Sequence, residues 1–391
     1  MYFRYDMKKY LLFVLISFLT QTNLSFSLQA QTVKKDFQYT NQLTTSTDSL
    51  IHQAARTYLS NTARLGLSVG IYHNNETITY HYGSTQQEKQ VLPTNKTIYE
   101  IGSISKTFTG TLLAQAVKDK KLKLEDDVRM YLDGDYPNLA YQGQPIRVGH
   151  LVSHISGLPN FLPDNPGLFQ TTSSDSLPFV LSRILNNYSK QDFLNDLHNV
   201  KLDTIPGYKF RYSNSSPQLL KYILERVYQK SFADLLKIYL LQPLKMKHTT
   251  SRYKEVKVKH LAKGYNSKGN FMPYIPENLD AAGGIFSTIP DMLQYLKFHL
   301  DETNEVVALS HQVTTGDINQ YAIGLNWQET ITSKKQKKIW QSGGTFGFSS
   351  YAVIYPELAI AIVLLTNQAD NTAQTELGHI ADKIVNNMIK L

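Results

Sequence analysis

The sequence predicts an α+β fold, an antiparallel sheet completed by both chain ends and flanked by helices, with a mostly helical region inserted between. Three observations predict it. Residues 67–83 read as two strands around Asn74-Asn75-Glu76, a hairpin signal. Residues 322–366 read as a run of strands separated by turn residues. Between the two, apolar positions recur at helical spacing, most strongly over 218–227.

In chain order, Lys8-Lys9 precede the apolar run 11–19, the signature of a signal peptide over 1–30. Cleavage would follow Ala30 or Ser27 and leave a mature domain over 31–391. The run is shorter than the roughly 20 apolar residues a membrane span needs. A secreted or periplasmic protein with no stable membrane span after signal removal is therefore expected.

A helix is predicted over 48–60, then the hairpin, then a strand-like Thr97-Ile98-Tyr99. Gly102 permits a tight turn into a helix in which Phe108, Leu112 and Ala116 recur every four residues. After a less regular stretch from Leu122, residues 146–154 read as a helix that turns at Ser156-Gly157-Leu158-Pro159. Residues 160–176 are rich in Pro, Asp, Ser and Thr and read as a long loop lining or covering a site. Helices follow over 179–185, 191–197, 218–227 and 232–240, and Glu255–Lys259 alternates like a strand. Gly283–Thr288 leads to a helix over 290–299. Strands are predicted over 322–327, 337–341, 349–355 and 359–366, with an amphipathic helix over 377–389. The expected division is a sheet subdomain of about 45–105 plus 280–391 and a helical subdomain of about 106–279.

The bulk numbers narrow the function. Of 391 residues, 42% are hydrophobic and 18% charged, which suits a globular chain with a sizeable core. The net charge is +8, of which the expected signal segment carries +2 through Arg4, Lys8 and Lys9 against Asp6. The remainder is spread along the chain, so no nucleic-acid partner is expected. The absence of cysteine excludes disulfides, thiol catalysis, Cys-based zinc sites and a lipid-anchored cysteine. His150 and His154 lie four apart, a metal-compatible spacing on a helix, but no carboxylate sits between them and no third ligand is apparent. Structural or hydrogen-bonding roles are expected of them. No metal or cofactor is called for.

Chemistry centres on Ser103-Ile104-Ser105-Lys106. A serine hydroxyl needs a partner to take its proton. Residues three apart on a helix share a face, so Lys106 can act as base for Ser103. A helix N-terminus also favours developing negative charge. The pattern alone equally describes an N-cap serine. It recurs at Ser251-Arg252-Tyr253-Lys254, where no helix follows the serine.

Two further stretches make a constellation. One is Pro206-Gly207-Tyr208-Lys209-Phe210-Arg211-Tyr212-Ser213-Asn214, a turn before a strong helix. The other is Trp340-Gln341-Ser342-Gly343-Gly344-Thr345, glycine-rich and set between strands. In this order they resemble the serine β-lactamase and penicillin-binding protein superfamily, in its class C β-lactamase-like branch of D-alanyl-D-alanine carboxypeptidases, D-aminopeptidases and esterases. Leu151–Pro159, Gln242–Met246 and Ala281–Thr288 are similar to the same branch, and the resemblance runs from about Ser60 to the C-terminus.

The resemblance implies a β-lactamase/transpeptidase-like fold and a serine hydrolase working through an acyl-enzyme. Ser103 would be acylated and Lys106 would accept its proton. Tyr212 would assist the leaving group and later activate water, and Asn214 would bond Lys106 or the substrate. Gln341, Ser342 and Gly343 would contact substrate, and the amides of Ser103 and Gly344 would form the oxyanion hole. The implied substrates are small peptides, amides or esters, foremost D-Ala-D-Ala carboxypeptidase or D-amino-acid peptidase substrates such as peptidoglycan precursors. The alternatives are an esterase, a class C-like β-lactamase, or a slowly deacylating penicillin-binding sensor. One position departs from the pattern: relatives carry Lys or His where this chain has Gln341, which cannot hold charge.

Overall fold

A computed structural model describes residues 37–389; the expected signal segment lies outside the described residues. Helix α1 (Ser46–Leu59) starts with a capping box in which Thr45 and Asp48 bond each other's backbone N–H. It is followed by β1 (Gly66–His73) and β2 (Glu76–Gly83). Asn74 and Asn75 both adopt positive φ, the conformation a two-residue hairpin turn requires. The short strand β3 (Tyr99–Glu100) runs into a 3-10 turn over Gly102–Ile104 and then α2 (Ser105–Lys118).

The middle of the chain holds the short pair β4 (Ala140–Tyr141) and β5 (Gln144–Pro145), then α3 (Pro166–Thr171), α4 (Leu177–Asn186), α5 (Lys190–Leu197), α6 (Ser215–Tyr228) and α7 (Phe232–Leu236). The last part comprises β6 (Phe286–Ser287), α8 (Ile289–His299), α9 (Glu305–Ser310), β7 (Thr315–Asp317), β8 (Tyr321–Ile323), β9 (Gln328–Ile331), β10 (Lys337–Gly344), β11 (Ser349–Tyr355), β12 (Ile360–Thr366) and α10 (Ala373–Met388).

Among the described residues, eight strands form one antiparallel sheet in the order β2-β1-β12-β11-β10-β9-β8-β7. Both chain ends meet where β1 pairs with β12, Leu67 opposite Thr366. The central strands are buried on both faces, and their period-two alternation feeds two cores. Ala361, Val363 and Leu365 of β12 point into the larger core with α2, α6 and α8. Ile360, Ile362 and Leu364 point into the smaller core with α1 and α10. Helix α2 lies inside the larger core, with Phe108, Leu112 and Leu113 buried and Thr107, Thr109 and Thr111 buried beside them. Such an all-round buried helix is a rigid base for whatever its first turn carries.

Several segments differ from expectation. Glu255–Lys259 is not a strand: 3-10 turns form over Tyr253–Glu255 and Val258–His260. Its N–H groups close local turns, as in Val256 to Tyr253 and His260 to Lys257. Val256 is buried while Val258 is 65% exposed, so the alternation never faces one core. The strand at 322–327 stops at Ile323, because Asn326 turns the chain with φ 65° and aims Trp327 into the core. The 160–176 loop contains α3, and the helix expected over 232–240 turns into a π-helix over Lys237–Leu241. The helix expected over 146–154 is a 3-10 turn, Val148–Val152, and His154 beyond it has φ 56°. His150 and His154 therefore share no helical face.

Candidate active site

Ser103 sits on the 3-10 turn before α2, and Lys106 lies on the first turn of α2. Gly102 has φ 53°, a value that favours glycine, and this sharp turn lifts Ser103 out of the buried strand β3. The Lys106 Nζ is 3.0 Å from Ser103 Oγ, 2.7 Å from Asn214 Oδ1 and 2.6 Å from the Ala282 carbonyl oxygen. The Ser103 hydroxyl is also 2.6 Å from the Tyr212 hydroxyl.

Lys106 is fully buried, and none of these partners is a carboxylate. Burial pushes its pKa below the usual lysine value, against the opposing influence of Tyr212. The neutral amine suits the site. Its two N–H bonds can go to Asn214 and Ala282, which leaves its lone pair facing the Ser103 hydroxyl. That is the arrangement a base needs to take the serine proton.

Tyr212 and Asn214 are placed by a zipper between two loops. Arg211 N donates to His154 O, Ser213 N to His154 Nδ1, Ser213 Oγ to Pro159 O, and Asn214 N to Asn160 O. Asn214 Nδ2 reaches Asn160 Oδ1 at 2.8 Å. The His154 ring packs on Tyr212 with centroids 4.4 Å apart. Burial above all pushes His154 down to about 3, so it packs as a neutral ring.

The end of β10 closes the other side. A Cβ on Gly343 would stand 2.1 Å from the Ile101 carbonyl oxygen and 3.0 Å from the Ser103 amide nitrogen. One on Gly102 would stand 2.6 Å from the Gly344 amide nitrogen. Only glycine at both positions lets the strand lie backbone against backbone with the serine turn. Ser103 and Gly344 consequently border one cavity of about 510 Å³.

Of the residues singled out in the sequence, Ser103, Lys106, Tyr212 and Asn214 are joined by direct hydrogen bonds. Gln341, Ser342 and Gly344 line the same cavity, while Gly343 is the buried spacer behind it. Gln341 Nε2 donates to Asn326 O at 2.7 Å, and its Oε1 accepts from Gln328 Nε2 at 2.7 Å and Ser342 N at 3.0 Å. Lys337 and Lys338 do not stand in for it. Lys337 bonds Glu302 at 2.7 Å and Lys338 bonds Asp382 at 2.6 Å.

Sequence reasoning missed Ala282, Asn160, Asn326 and the packing of His154 on Tyr212. Asn326 Nδ2 holds the Lys106 carbonyl at 3.0 Å. Two signals were present: the Leu151–Pro159 and Ala281–Thr288 stretches contain three of these residues' positions or neighbours, but their partners are distant in sequence. The 160–176 loop does reach the cavity, through Phe161. Among the described residues no cluster of three or more acidic or histidine side chains could hold a metal.

The profile of the Beta-lactamase family matches residues 51–386. "Protein flp" of Staphylococcus aureus strain MW2 is 28% identical over 333 residues, covering 82% of this chain. The match spans 63% of that relative's length. A protein named "Beta-lactamase" from Escherichia coli strain K12 is 27% identical over 363 residues, covering 82% of this chain and 89% of that one. The fold is similar to the Beta-lactamase/D-alanine carboxypeptidase of Yersinia pestis complexed with citrate, with TM-score 0.72 and 24% identity over 88% of this chain and 98% of that one. A class C beta-lactamase matches with TM-score 0.73 and 21% identity, over 87% and 96%.

Proposed function

Because the chain belongs to the beta-lactamase family of serine hydrolases, we propose that it cleaves an ester or amide through an acyl-enzyme on Ser103. The observation that carries this reading is the Ser103 hydroxyl held at 3.0 Å from Lys106, whose pKa burial lowers, and 2.6 Å from Tyr212. In the first step Ser103 Oγ attacks the carbonyl carbon and its proton passes to the Lys106 amine. The carbonyl oxygen becomes an oxyanion facing the Ser103 and Gly344 amides. Tyr212 relays a proton to the leaving group as the bond to it breaks. Water, losing its proton by the same route, then attacks the acyl-enzyme and frees Ser103.

Peptides ending in D-alanine, as in cell-wall precursors, are the substrates the sequence motifs suggest, and the Yersinia pestis protein is described as a D-alanine carboxypeptidase. A slowly deacylating sensor is the second reading, favoured by Gln341 in place of a cation. The signal-like start supports a secreted or periplasmic location, where such substrates lie. The site would sit at the seam of a sheet subdomain (about 45–105 plus 280–391) and a helical one (about 106–279). Among the described residues, no helix is long and apolar enough to cross a membrane.

Intact-mass spectrometry after a fluorophosphonate and, separately, a penicillin tests the reading. A single adduct is expected and should vanish in Ser103→Ala. Folded protein that takes up neither reagent would end the hydrolase reading. A penicillin adduct that persists would select the sensor over the turnover enzyme.

A further inference from the structure

We infer that the substrate is a neutral ester or amide with an apolar acyl group and no carboxylate beside the scissile bond. This rests on the acyl-enzyme reading above and sets aside its D-alanine-terminated substrates, whose leaving group carries a carboxylate next to the scissile bond. Among the described residues, no Asp, Glu, Lys or Arg lines the cavity at Ser103. Its walls are Phe161, Leu181, Leu185, Phe210, Ile275 and Leu279 on one part and uncharged polar side chains such as Gln328, Ser342, Thr345 and Gln374 on the rest. A carboxylate moved into such surroundings loses hydration and needs a cation or several donors in return.

Lys106 and Lys337 are both committed. Lys106 Nζ is already bonded to Ser103, Asn214 and Ala282, so as the neutral amine it offers a ligand neither charge nor a spare N–H. Lys337, four residues before Gln341 on β10, is drawn to Glu302 and to Glu329, 2.7 and 3.5 Å away. Gln341 itself is tied by Asn326, Gln328 and Ser342, which leaves at most one N–H for a ligand. The cavity therefore rewards apolar contact and offers an anion no counter-charge. Its 510 Å³ is ample for a short acyl chain or an aromatic acyl group together with the leaving group.

The experiment compares two isosteric substrates, the butyrate ester of 3-hydroxybenzamide and that of 3-hydroxybenzoate. They differ in one neutral or anionic group on the leaving side. The amide form should be hydrolysed with at least about tenfold higher kcat/KM, a difference of about 1.4 kcal/mol. Equal rates, or preference for the carboxylate, would overturn the inference. Gln341→Lys should shift the ratio towards the carboxylate by about tenfold. An unchanged ratio in that variant, with folding checked by circular dichroism, would remove Gln341 as the determinant. Fluorophosphonate labelling of the same samples separates the failures. Labelled enzyme that prefers the carboxylate refutes only the substrate class. Unlabelled enzyme refutes the hydrolase reading beneath it.

Discussion

Arg64 and Lys106 are both shut away from solvent, at 1% and 0% exposure, yet their surroundings push them in opposite directions. Arg64, in the link between α1 and β1, meets two carboxylates: its Nε is 3.0 Å from Asp370 and its Nη2 3.0 Å from Glu376. Burial alone would lower its pKa, but the bonds to Glu376 and Asp370 outweigh that and raise it. Lys106 meets no carboxylate, only a hydroxyl, an amide oxygen, a carbonyl oxygen and the Tyr212 ring, and burial wins. Counter-charge decides which buried cation is a permanent fastener and which can give up its proton. The first ties the start of the sheet to the start of α10; the second stands beside a nucleophile.

The largest effect should come from fixing the Lys106 charge. Lys106→Arg places a group that stays protonated in proteins where a base is needed. The fluorophosphonate labelling rate should fall by about 10²–10⁴-fold, the usual contribution of a general base. Lys106→Met should do no better, since it has no base at all. Arginine that kept activity within tenfold would mean that Lys106 acts as a charge and not as a base.

The converse change at Arg64 should cost stability and leave chemistry intact. Arg64→Met strands Asp370 and Glu376, the first largely buried. Breaking a buried ion pair from one side typically costs about 3–5 kcal/mol, read as a lower urea midpoint, while the labelling rate of folded protein holds. The pH dependence follows from the same triad. Burial would raise the Asp370 pKa, but Arg64 and Thr372 hold it below its ordinary value; the Arg64 bond holds Glu376 down likewise. These depressed carboxyls contribute stability above the ordinary carboxylate range, and it is lost as pH falls through their folded pKa values. Wild type should therefore lose more stability on acidification than Arg64→Met. Equal losses would show that the triad carries no such linkage.

The two cations also mark how far sequence reasoning reaches. Lys106 was legible because its partner is three residues away on one helix face, and because Tyr212 and Asn214 sit in a recognisable turn before a helix. Arg64 was not, since Asp370 and Glu376 are 306 and 312 residues further along. The hairpin and β11–β12 were legible from long alternating or apolar runs. Strands β7 and β9 were not: they are three and four residues long and mostly polar. Glu255–Lys259 misled in the opposite sense, because alternation predicts a strand only where a neighbouring strand exists to pair with it. The Ala282 carbonyl under Lys106 showed only as one residue of the Ala281–Thr288 stretch, since a backbone acceptor carries no side-chain signature.

The smallest effect is the most direct test of the contrast. Asn214→Asp would set a carboxylate 2.7 Å from the Lys106 ammonium and give it the kind of partner that Arg64 has. An opposite charge at that distance favours the charged lysine and raises its pKa. The amine then stays protonated to higher pH, so the acidic limb of kcat/KM should move up by about one unit or more, each unit being about 1.4 kcal/mol. Activity should recover above the new limb, because the geometry of Ser103 and Tyr212 is not touched. One confusion needs removing: Asn214 also donates to Asn160, and the substitution deletes that bond. Asn160→Ala deletes the same bond and leaves Asn214 neutral. A lower rate with an unmoved limb in Asn160→Ala, beside a shifted limb in Asn214→Asp, would assign the shift to charge. Equal limbs in both would mean that the neutral surroundings of Lys106 do not set its readiness to act as a base.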